Sequence, residues 1–450
     1  MKHSSLIKPV LDGEYPMISH GKGVYLYDTD EKEYLDAASG AVTANIGHGV
    51  EEIATAMVEQ AKQVSFVYRS QFTSEAAEAL ASKIAAMTDD RYTWSFFVNS
   101  GSEATETALK IAIQHWQEKG KPKKNRIISR WMSYHGITLG ALSMSGHPLR
   151  RERFTAILES YPAVSPPYCY RCPYNLEETS CGLACAADLE SAIRRIGPDN
   201  VAAFIAEPVI GAAGAAIAPP DGYFPEIKRI CEKYEVLFIA DEVMTGFGRT
   251  GKMLACDHWG VEPDIITFGK GMSGGYTPIA AAVMTDKVIE PILNGSKSIM
   301  GGHTFSANPQ SCAVSLAVLE YLEKNGIFEK AATAGVYLRN LLDKLASRYS
   351  FIGDVRGKGL LIGIEFVKDQ KAKEPFPAGI DITNKIIGLA ADNGLLLYPA
   401  AAGLDGVTGA AIIISPPLSI NKREIEELIR RLKNTFSQFA ETLLSEPMTP

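Results

Sequence analysis

The sequence predicts an α/β protein with a mostly parallel central sheet in a large domain and a smaller α/β domain beside it. The middle of the 450-residue chain alternates short, continuous apolar runs with segments of helical period. Continuous apolar strands separated by helices indicate a parallel sheet that is covered on both faces. A second pattern of strands and helices begins after about residue 325, which predicts the smaller domain.

The first 90 residues predict two short strands and two helices. The strands lie at residues 24–27 and Glu33–Asp36, joined by a polar turn. The helical pattern covers Glu51–Gln63 and residues 74–87, and Thr73 or Ser74 is a candidate N-cap for the second helix.

The rest of the chain supplies the predicted sheet and the second layer. Central strands are expected at Trp94–Val98, 126–129, 202–206, 236–240, Ile265–Phe268 and Ala280–Met284, with helices at 103–117, 188–196 and 225–233. Beyond residue 325 we expect a helix, strands within 351–366, a helix at 383–392, strands at 395–398 and 411–414, and a last helix from 422. We therefore predict a large domain over residues 56–324 and a small domain formed by residues 1–55 and 325–450.

Composition excludes several classes of function. The formal net charge of −7 argues against a nucleic-acid or membrane-surface protein, which would favour a basic face. We find no secretory signal pattern and no apolar run of the roughly 18–20 residues that span a bilayer. Seven cysteines in a chain of this length indicate reduced thiols, so we expect a cytoplasmic protein.

Polar residues follow the predicted strands where each strand ends. They are Asn99 to Ser102, Tyr134 to Gly136, Glu207, Asp241 and Lys270. Ligands of open α/β sheets collect outside the carboxyl ends of the strands, so these residues predict one shared site.

The segment from Ser100 to Ser102 is a candidate anion cradle. It joins a strand to a helix, and free N–H groups at a helix start favour a phosphate. Gly101 allows close approach, while Ser100 and Ser102 add hydroxyl donors. The alternative is a simple capping box that includes Glu103.

Asp241 and Lys270 are candidate catalytic residues. A lysine at a buried strand end is costly unless it is paired or neutral, and a neutral amine suits imine chemistry. A carboxylate beside a pyridine nitrogen keeps the ring cationic, as pyridoxal phosphate (PLP) requires. The alternatives are a helix cap or metal ligand for Asp241 and a surface lysine for Lys270.

These motifs and their order closely resemble the class III (omega) aminotransferase family. The resemblance rests on the run from Asp241 to Gly251, on Pro263 to Ile265, on Lys270-Gly271, on residues 275–278 and on residues 303–309. It extends from about Gly21 to the final helix. The resemblance implies a PLP-dependent transferase of fold type I that works as a homodimer with shared active sites.

By resemblance, each residue of the site receives a role. Lys270 would carry PLP as an imine, Asp241 would face the ring nitrogen, and Glu207 would lie near the ring's oxygen edge. The other expected cofactor contacts are Ser100, Gly101 and Ser102 at the phosphate, Tyr134 and Val243 on the ring faces, His135, and Thr304 toward the other subunit's phosphate. His135 has an equally good alternative as a structural histidine.

The implied reaction moves an amino group from a primary amine or an omega- or alpha-amino acid to a keto acid by a ping-pong mechanism. Relatives also include racemases, lyases and a decarboxylase. These enzymes have the same fold but break a different bond of the substrate. A non-enzymatic binding module is the remaining alternative, against which the presence of Lys270 and Asp241 argues.

The substrate side departs from the family patterns. The Glu–Arg pair of ornithine-type members falls here on Ala212 and Ile413, and residues 400–409, which carry an acceptor-binding arginine in pyruvate-using members, contain no Arg. The Ala212 pattern resembles the pyruvate-using members, so we expect pyruvate as the acceptor.

Four residues are candidates for the substrate pocket. Arg69 is a candidate to bind the acceptor carboxylate in place of the missing arginine. The alternative is that Arg69 is only a surface residue. Phe66, Tyr68 and Trp131 are candidate pocket residues, and core packing explains each of them equally well.

Four cysteines form a cluster in the sequence. Cys169, Cys172, Cys181 and Cys185 have the spacing C-x2-C-x8-C-x3-C, which could bind zinc. The intervening loop is short for a zinc ribbon, so we expect reduced thiols and no metal. The sequence leaves a dimer or a tetramer open.

Overall fold

The computed structural model describes residues 5–377 and 379–445. Its strands are β1 Ile18–Lys22, β2 Tyr25–Asp28, β3 Glu33–Asp36, β4 Trp94–Val98, β5 Arg126–Arg130, β6 Ala163–Val164, β7 Val201–Ala206, β8 Leu237–Asp241, β9 Ile265–Phe268, β10 Ala280–Met284, β11 Ile352–Lys358, β12 Leu361–Phe366, β13 Leu395–Leu396, β14 Tyr398–Ala402 and β15 Gly409–Ile414. Its helices are α1 Ser39–Val42, α2 Glu51–Gln63, α3 Glu75–Met87, α4 Gly101–Glu118, α5 Leu139–Met144, α6 Pro148–Arg151, α7 Ala184–Ile196, α8 Tyr223–Lys233, α9 Asp286–Asn294, α10 Pro309–Lys324, α11 Ile327–Ala346, α12 Ile382–Asp392 and α13 Lys422–Ser445.

A seven-stranded sheet forms the centre of the molecule, in the order β4-β10-β9-β8-β7-β5-β6. Strands β9, β8, β7, β5 and β6 pair in parallel, whereas β10 is antiparallel to both of its neighbours, β4 and β9. The predicted mostly parallel sheet is therefore confirmed, with one reversed strand near its edge.

The two faces of this sheet bury separate apolar layers. Neighbouring strand residues point to opposite faces. Phe204 and Phe238 accordingly pack into one core cluster, while Ile205 and Ile239 pack into the other with α4. All six residues of β7 are buried, which explains the unbroken apolar runs in the sequence.

Two four-stranded sheets flank the central one, in the orders β1-β2-β3-β13 and β11-β12-β15-β14. The single strand expected at 395–398 is wrong, because the chain there changes sheets. β13 pairs in parallel with β3, whereas β14 pairs with β15. Strand β1 was not predicted, since its side chains are mostly exposed and carry no apolar alternation.

A buried arginine ties these sheets together. The Arg249 guanidinium donates to the carbonyls of Leu360 and Pro416 and to the side chains of Ser39 and Asn45. Burial lowers the pKa of Arg249 to about 9. The Gly-rich run that contains Arg249 therefore serves packing as well as chemistry.

The predicted domain division stays a prediction. Residue 55 lies inside α2, which packs together with α3 against α10 of the central part.

None of the helices in the described part of the chain has the length and apolarity needed to cross a bilayer.

Candidate active site

A cavity of about 280 Å³ lies at the carboxyl edge of the seven-stranded sheet. Small-molecule sites are typically about 300–1,000 Å³, so this cavity suits a compact ligand. The structure brings nine of the predicted residues into its lining: Ser100, Gly101, Ser102, Tyr134, His135, Glu207, Asp241, Val243 and Lys270. The convergence follows from the parallel strands, because their carboxyl ends meet at one edge.

The Asp241 carboxylate is held by three hydrogen bonds at the end of β8. His135 Nδ1 lies 2.8 Å from one oxygen, and the Thr267 hydroxyl and the Val243 N–H each donate to the other oxygen at 3.1 Å. Asp241 and His135 are both buried. This fixed, desolvated carboxylate is well placed to face a cationic ligand atom.

The second ring nitrogen of His135 is free to bind a ligand. Its Nε2 atom is buried and has no hydrogen-bond partner among the described residues. The backbone of the same residue is anchored on both sides, because its N–H donates to the Ser145 hydroxyl and its carbonyl accepts from Thr105. His135 is therefore a rigid support for Asp241.

Glu207 is a second buried carboxylate of the cavity. Its oxygens accept the N–H groups of Tyr134 at 2.9 Å and Gly211 at 2.8 Å. Burial raises the pKa of Glu207, and the nearby Asp241 raises it further. A carboxyl group in this state can share a proton with a ligand oxygen.

Lys270 lies two residues after the end of β9 and lines the same cavity. Burial lowers the pKa of its amine, although Asp241 and Glu207 oppose that effect, and Arg150 lowers it further. The residue has a φ of 45°, a left-handed conformation that costs a non-glycine residue about 1–3 kcal/mol. The surrounding fold thus holds a strained residue with an easily deprotonated amine.

The segment from Ser100 to Ser102 both caps helix α4 and forms a cradle. The Ser100 hydroxyl accepts the Glu103 N–H at 3.2 Å, and the Glu103 carboxylate accepts the Asn99 N–H at 2.7 Å, so the capping-box alternative is present. A Cβ at Gly101 would lie 2.9 Å from Val243 Cγ1. The missing side chain lets the helix start, with its unsatisfied N–H groups, approach the cavity.

Five predicted residues lie elsewhere: Phe66, Tyr68, Arg69, Trp131 and Thr304 are not among the described residues that line the cavity. The Arg69 guanidinium donates to the Gly301 carbonyl and lies 4.8 Å from the centre of the Phe96 ring. Within one subunit, Arg69 is exposed and lies outside the described cavity lining, and its role in carboxylate binding stays a prediction. The other four side chains are substantially exposed.

Two residues near the site were missed from the sequence. Thr267 lies inside an apolar strand, where nothing distinguishes it from a core residue. Arg150 lies in the four-residue helix α6, and its guanidinium carbon is 4.5 Å from the centre of the Tyr134 ring. Neither residue belongs to a motif, so only the tertiary structure identifies them.

The four clustered cysteines line a separate small cavity of about 20 Å³. All seven cysteines are free thiols, and burial raises the pKa of Cys185 to about 11. Among the described residues, no group of three or more His, Cys, Asp or Glu is placed to hold a metal ion.

The geometry of the cavity at the carboxyl edge of the sheet fits one cofactor well. A lysine amine of lowered pKa, a fixed carboxylate and a glycine-opened helix start match the aldehyde, the ring nitrogen and the phosphate of PLP. With the mostly parallel sheet, these features define a PLP-dependent transferase of fold type I.

Comparison with known proteins identifies the family. The family model for class-III aminotransferases matches residues 12–436. The chain therefore belongs to the class III aminotransferases, which depend on PLP.

The relatives and the solved structures agree with this assignment. The chain is 53% identical over 440 residues to the uncharacterized aminotransferase YodT of Bacillus subtilis, covering 98% of this chain and 99% of that protein. It is 35% identical to a putrescine–pyruvate aminotransferase of Pseudomonas aeruginosa, over 95% of this chain and 92% of that one. An amine transaminase structure from an uncultivated Pseudomonas species, solved with PLP bound, matches with a TM-score of 0.91 at 32% identity, over 97% of this chain and 100% of that one.

Proposed function

We propose that this aminotransferase moves amino groups from primary amines or amino acids to pyruvate, with Lys270 and Asp241 as its catalytic residues. The observation that carries the proposal is the composition of the cavity wall. It holds the low-pKa amine of Lys270 and the fixed carboxylate of Asp241, whereas none of the described residues that line it is an arginine. A dicarboxylate acceptor such as 2-oxoglutarate would need two cationic sites.

Each residue of the site would have a separate role in holding PLP. When bound, PLP supplies a carbonyl carbon that reacts with amines and a ring that withdraws electrons. Lys270 would hold it covalently, Asp241 would face the ring nitrogen, and Glu207 with His135 would complete the polar wall. Tyr134 and Val243 would contact the ring faces, and Ser100, Gly101 and Ser102 the phosphate.

Lys270 is also the proposed base for proton transfer. Its burial favours the neutral amine, which accepts a proton, and the neighbouring carboxylates stabilise the charged form once the proton has arrived. Donor and acceptor would occupy the same cavity in turn, in a ping-pong cycle.

We further propose a cytoplasmic homodimer. Thr304 is exposed, and several large apolar side chains near it are exposed as well, among them Phe66, Met300 and Phe305. Such a patch favours contact with a second subunit, to whose cofactor phosphate Thr304 would donate. Seven free thiols suit a reducing compartment.

A panel of primary amines and amino acids tests the proposal. Each donor is incubated with the PLP-loaded protein and either pyruvate or 2-oxoglutarate, and the aminated product is quantified. We expect clear turnover with pyruvate and less with 2-oxoglutarate. A preference for 2-oxoglutarate would overturn the acceptor assignment. If the PLP absorbance does not convert to that of the aminated cofactor when a donor is added without an acceptor, a racemase, lyase or decarboxylase would be favoured instead.

A further inference from the structure

A keto-acid acceptor carries a carboxylate, and the cavity wall leaves this charge without a dedicated partner. Lys270 is reserved for the chemistry, and His135 is engaged with Asp241. Any cation that binds the substrate carboxylate must therefore reach the cavity from just outside its wall.

Arg150 lies at that place. Its guanidinium carbon is 4.5 Å from the centre of the Tyr134 ring, and Tyr134 is part of the cavity wall. The side chain is exposed, and no acidic group in the described part of the chain lies within ion-pair distance of it. The guanidinium thus keeps its hydrogen-bonding capacity for a ligand.

The electric field of Arg150 reaches the interior of the site. Arg150 contributes to the lowered pKa of Lys270, after the larger effect of burial. It also acts on Tyr398 at the start of β14, where it opposes the rise in pKa that burial causes. The guanidinium is therefore near both the reactive amine and the start of β14.

The loop after β14 packs against the helix that carries Arg150. A Cβ at Gly406 would lie 3.0 Å from Cδ of Pro148, the first residue of α6. This is the loop of residues 400–409, which lacks the arginine expected from the resemblance. Arg150 therefore brings a cation to the same corner of the site from a different element.

Three neighbouring arginines donate to backbone carbonyls. Arg151 donates to the carbonyls of Leu142, Ser143 and Ser145. Arg130 is fully buried and donates to the Glu207 carbonyl, and Arg69 donates to that of Gly301. Among these four residues, Arg150 alone is exposed beside the cavity wall without a side-chain hydrogen bond to another described residue; the unpartnered Nε and Nη1 of Arg130 are buried, and Arg69 lies outside the cavity lining.

We propose that Arg150 binds the carboxylate of the keto-acid acceptor and thereby sets the specificity of the second half of the reaction. A guanidinium can bind a carboxylate through two parallel hydrogen bonds, a geometry that an ammonium cannot reproduce. The inference rests on the proposed function and deepens it by naming the residue that recognises the acceptor.

The test compares two acceptors of similar size, pyruvate and propanal, which lacks a carboxylate. The variants are Arg150→Gln, Arg150→Lys and, as a matched loss of one nearby exposed charge, Arg153→Gln. We expect Arg150→Gln to raise the KM for pyruvate about 10- to 100-fold and to leave the KM for propanal within about twofold. Arg150→Lys should fall in between, and Arg153→Gln should match the unsubstituted enzyme.

An equal rise in the KM for pyruvate and for propanal would overturn the proposal, because Arg150 would then act only by holding Tyr134. An unchanged KM for pyruvate in Arg150→Gln would also overturn it. Binding of propionate to the PLP-loaded protein, measured by calorimetry, separates this test from that of the proposed function. If the unsubstituted protein transaminates neither acceptor, the proposed function fails. Weaker propionate binding in Arg150→Gln would still support Arg150 as the carboxylate site, and equal binding would refute it.

Discussion

Two clusters of buried charge in this protein are built in opposite ways. At β12, the Glu365 carboxylate accepts hydrogen bonds from Arg171 at 2.6 Å, from Arg356 at 2.8 Å and from the Tyr168 hydroxyl. In the cavity, the carboxylates of Asp241 and Glu207 meet one lysine and one histidine, and no arginine in the described lining balances them.

The difference separates structure from function. Four of the five N–H donors of the Arg356 guanidinium are used within the protein, because it also donates to the carbonyls of Gly214 and Ala215 and to Asp354. The cavity keeps an unpartnered His135 Nε2 and an amine whose pKa burial has lowered. In the cluster at β12, each carboxylate oxygen of Glu365 is paired with an arginine, and Arg171 keeps one unpartnered nitrogen, Nη2, so these charges mainly hold the fold together. The buried carboxylates of the cavity have no arginine partner in the described lining and are available to a ligand.

The largest expected effect breaks the cavity cluster at its amine. Lys270→Ala should abolish steady-state turnover, because both the covalent attachment point and the proposed base disappear. General base catalysis alone typically raises a reaction rate about 10²–10⁴-fold. The thermal midpoint should stay near that of the unsubstituted protein, since alanine keeps the Cβ atom and the strain at a φ of 45° is unchanged. Lys110→Ala, an exposed lysine of α4, is the control. Steady-state transamination retained in Lys270→Ala would contradict the assignment.

The next effect concerns the charge of Asp241. Asp241→Asn keeps the shape and removes the carboxylate, so we expect turnover to fall about 10²–10³-fold, as when a group that stabilises developing charge is lost. The Thr267 and Val243 donors can still bond the amide oxygen, so the variant should fold. An activity within about threefold of the unsubstituted enzyme would exclude Asp241 as the partner of the ring.

The same variant makes a prediction about pH. The Asp241 carboxylate raises the pKa of Lys270 against the lowering by burial. Removing it should lower that pKa further, so the neutral amine appears at lower pH. The rate of PLP attachment to the cofactor-free protein, followed by absorbance, should then rise at lower pH in Asp241→Asn. A shift to higher pH would contradict this electrostatic picture.

The structural cluster, formed by Glu365 with Arg171, Arg356 and Tyr168 at β12, should respond in the opposite way: its loss should affect stability and not activity. Arg356→Met leaves Glu365 with one cation fewer and should destabilise the protein by about 3–5 kcal/mol. The turnover of the folded fraction should not change, because the cluster lies at β12 and not in the cavity lining. Urea denaturation gives the stability, and kcat per folded molecule gives the activity. A large loss of kcat with normal stability would break the distinction between the two clusters.

The sequence predicts the cavity cluster much better than the structural one. Asp241 ends a buried strand, Glu207 directly follows one and Lys270 lies two residues after one. Parallel strands bring such positions to a single edge of the sheet. Arg356 and Glu365 lie inside their strands, where a charged residue has no local signal for burial.

The remaining misses have the same physical origin. The split between β13 and β14 depends on which sheets their neighbours occupy, and Arg150 reaches the site only because α6 packs beside Tyr134. Arg69, proposed in place of a missing arginine, and Thr304, proposed to reach the other subunit's phosphate, stay predictions, because one subunit alone does not bring them to its cavity. Long-range packing decides all of these positions.

The smallest effect is expected at the four clustered cysteines, which line a cavity without belonging to either charged cluster. Zinc binds thiolates, so each ligand must lose its proton, and burial raises the pKa of Cys185 to about 11, which opposes that loss. We expect the protein to carry well below one zinc per chain by elemental analysis. Cys169→Ser with Cys181→Ser should change stability by no more than about 0.5 kcal/mol each, as at other partly exposed sites.

The matched control for the cysteines is Cys312→Ser. Cys312 is fully buried, and the added hydroxyl should cost about 1–3 kcal/mol because it enters an apolar core. One tightly held zinc per chain, together with a lower thermal midpoint after chelation, would make the cysteine loop a metal site. The loop would then become a third kind of cluster, in which charge is neutralised by an ion instead of by the protein's own side chains.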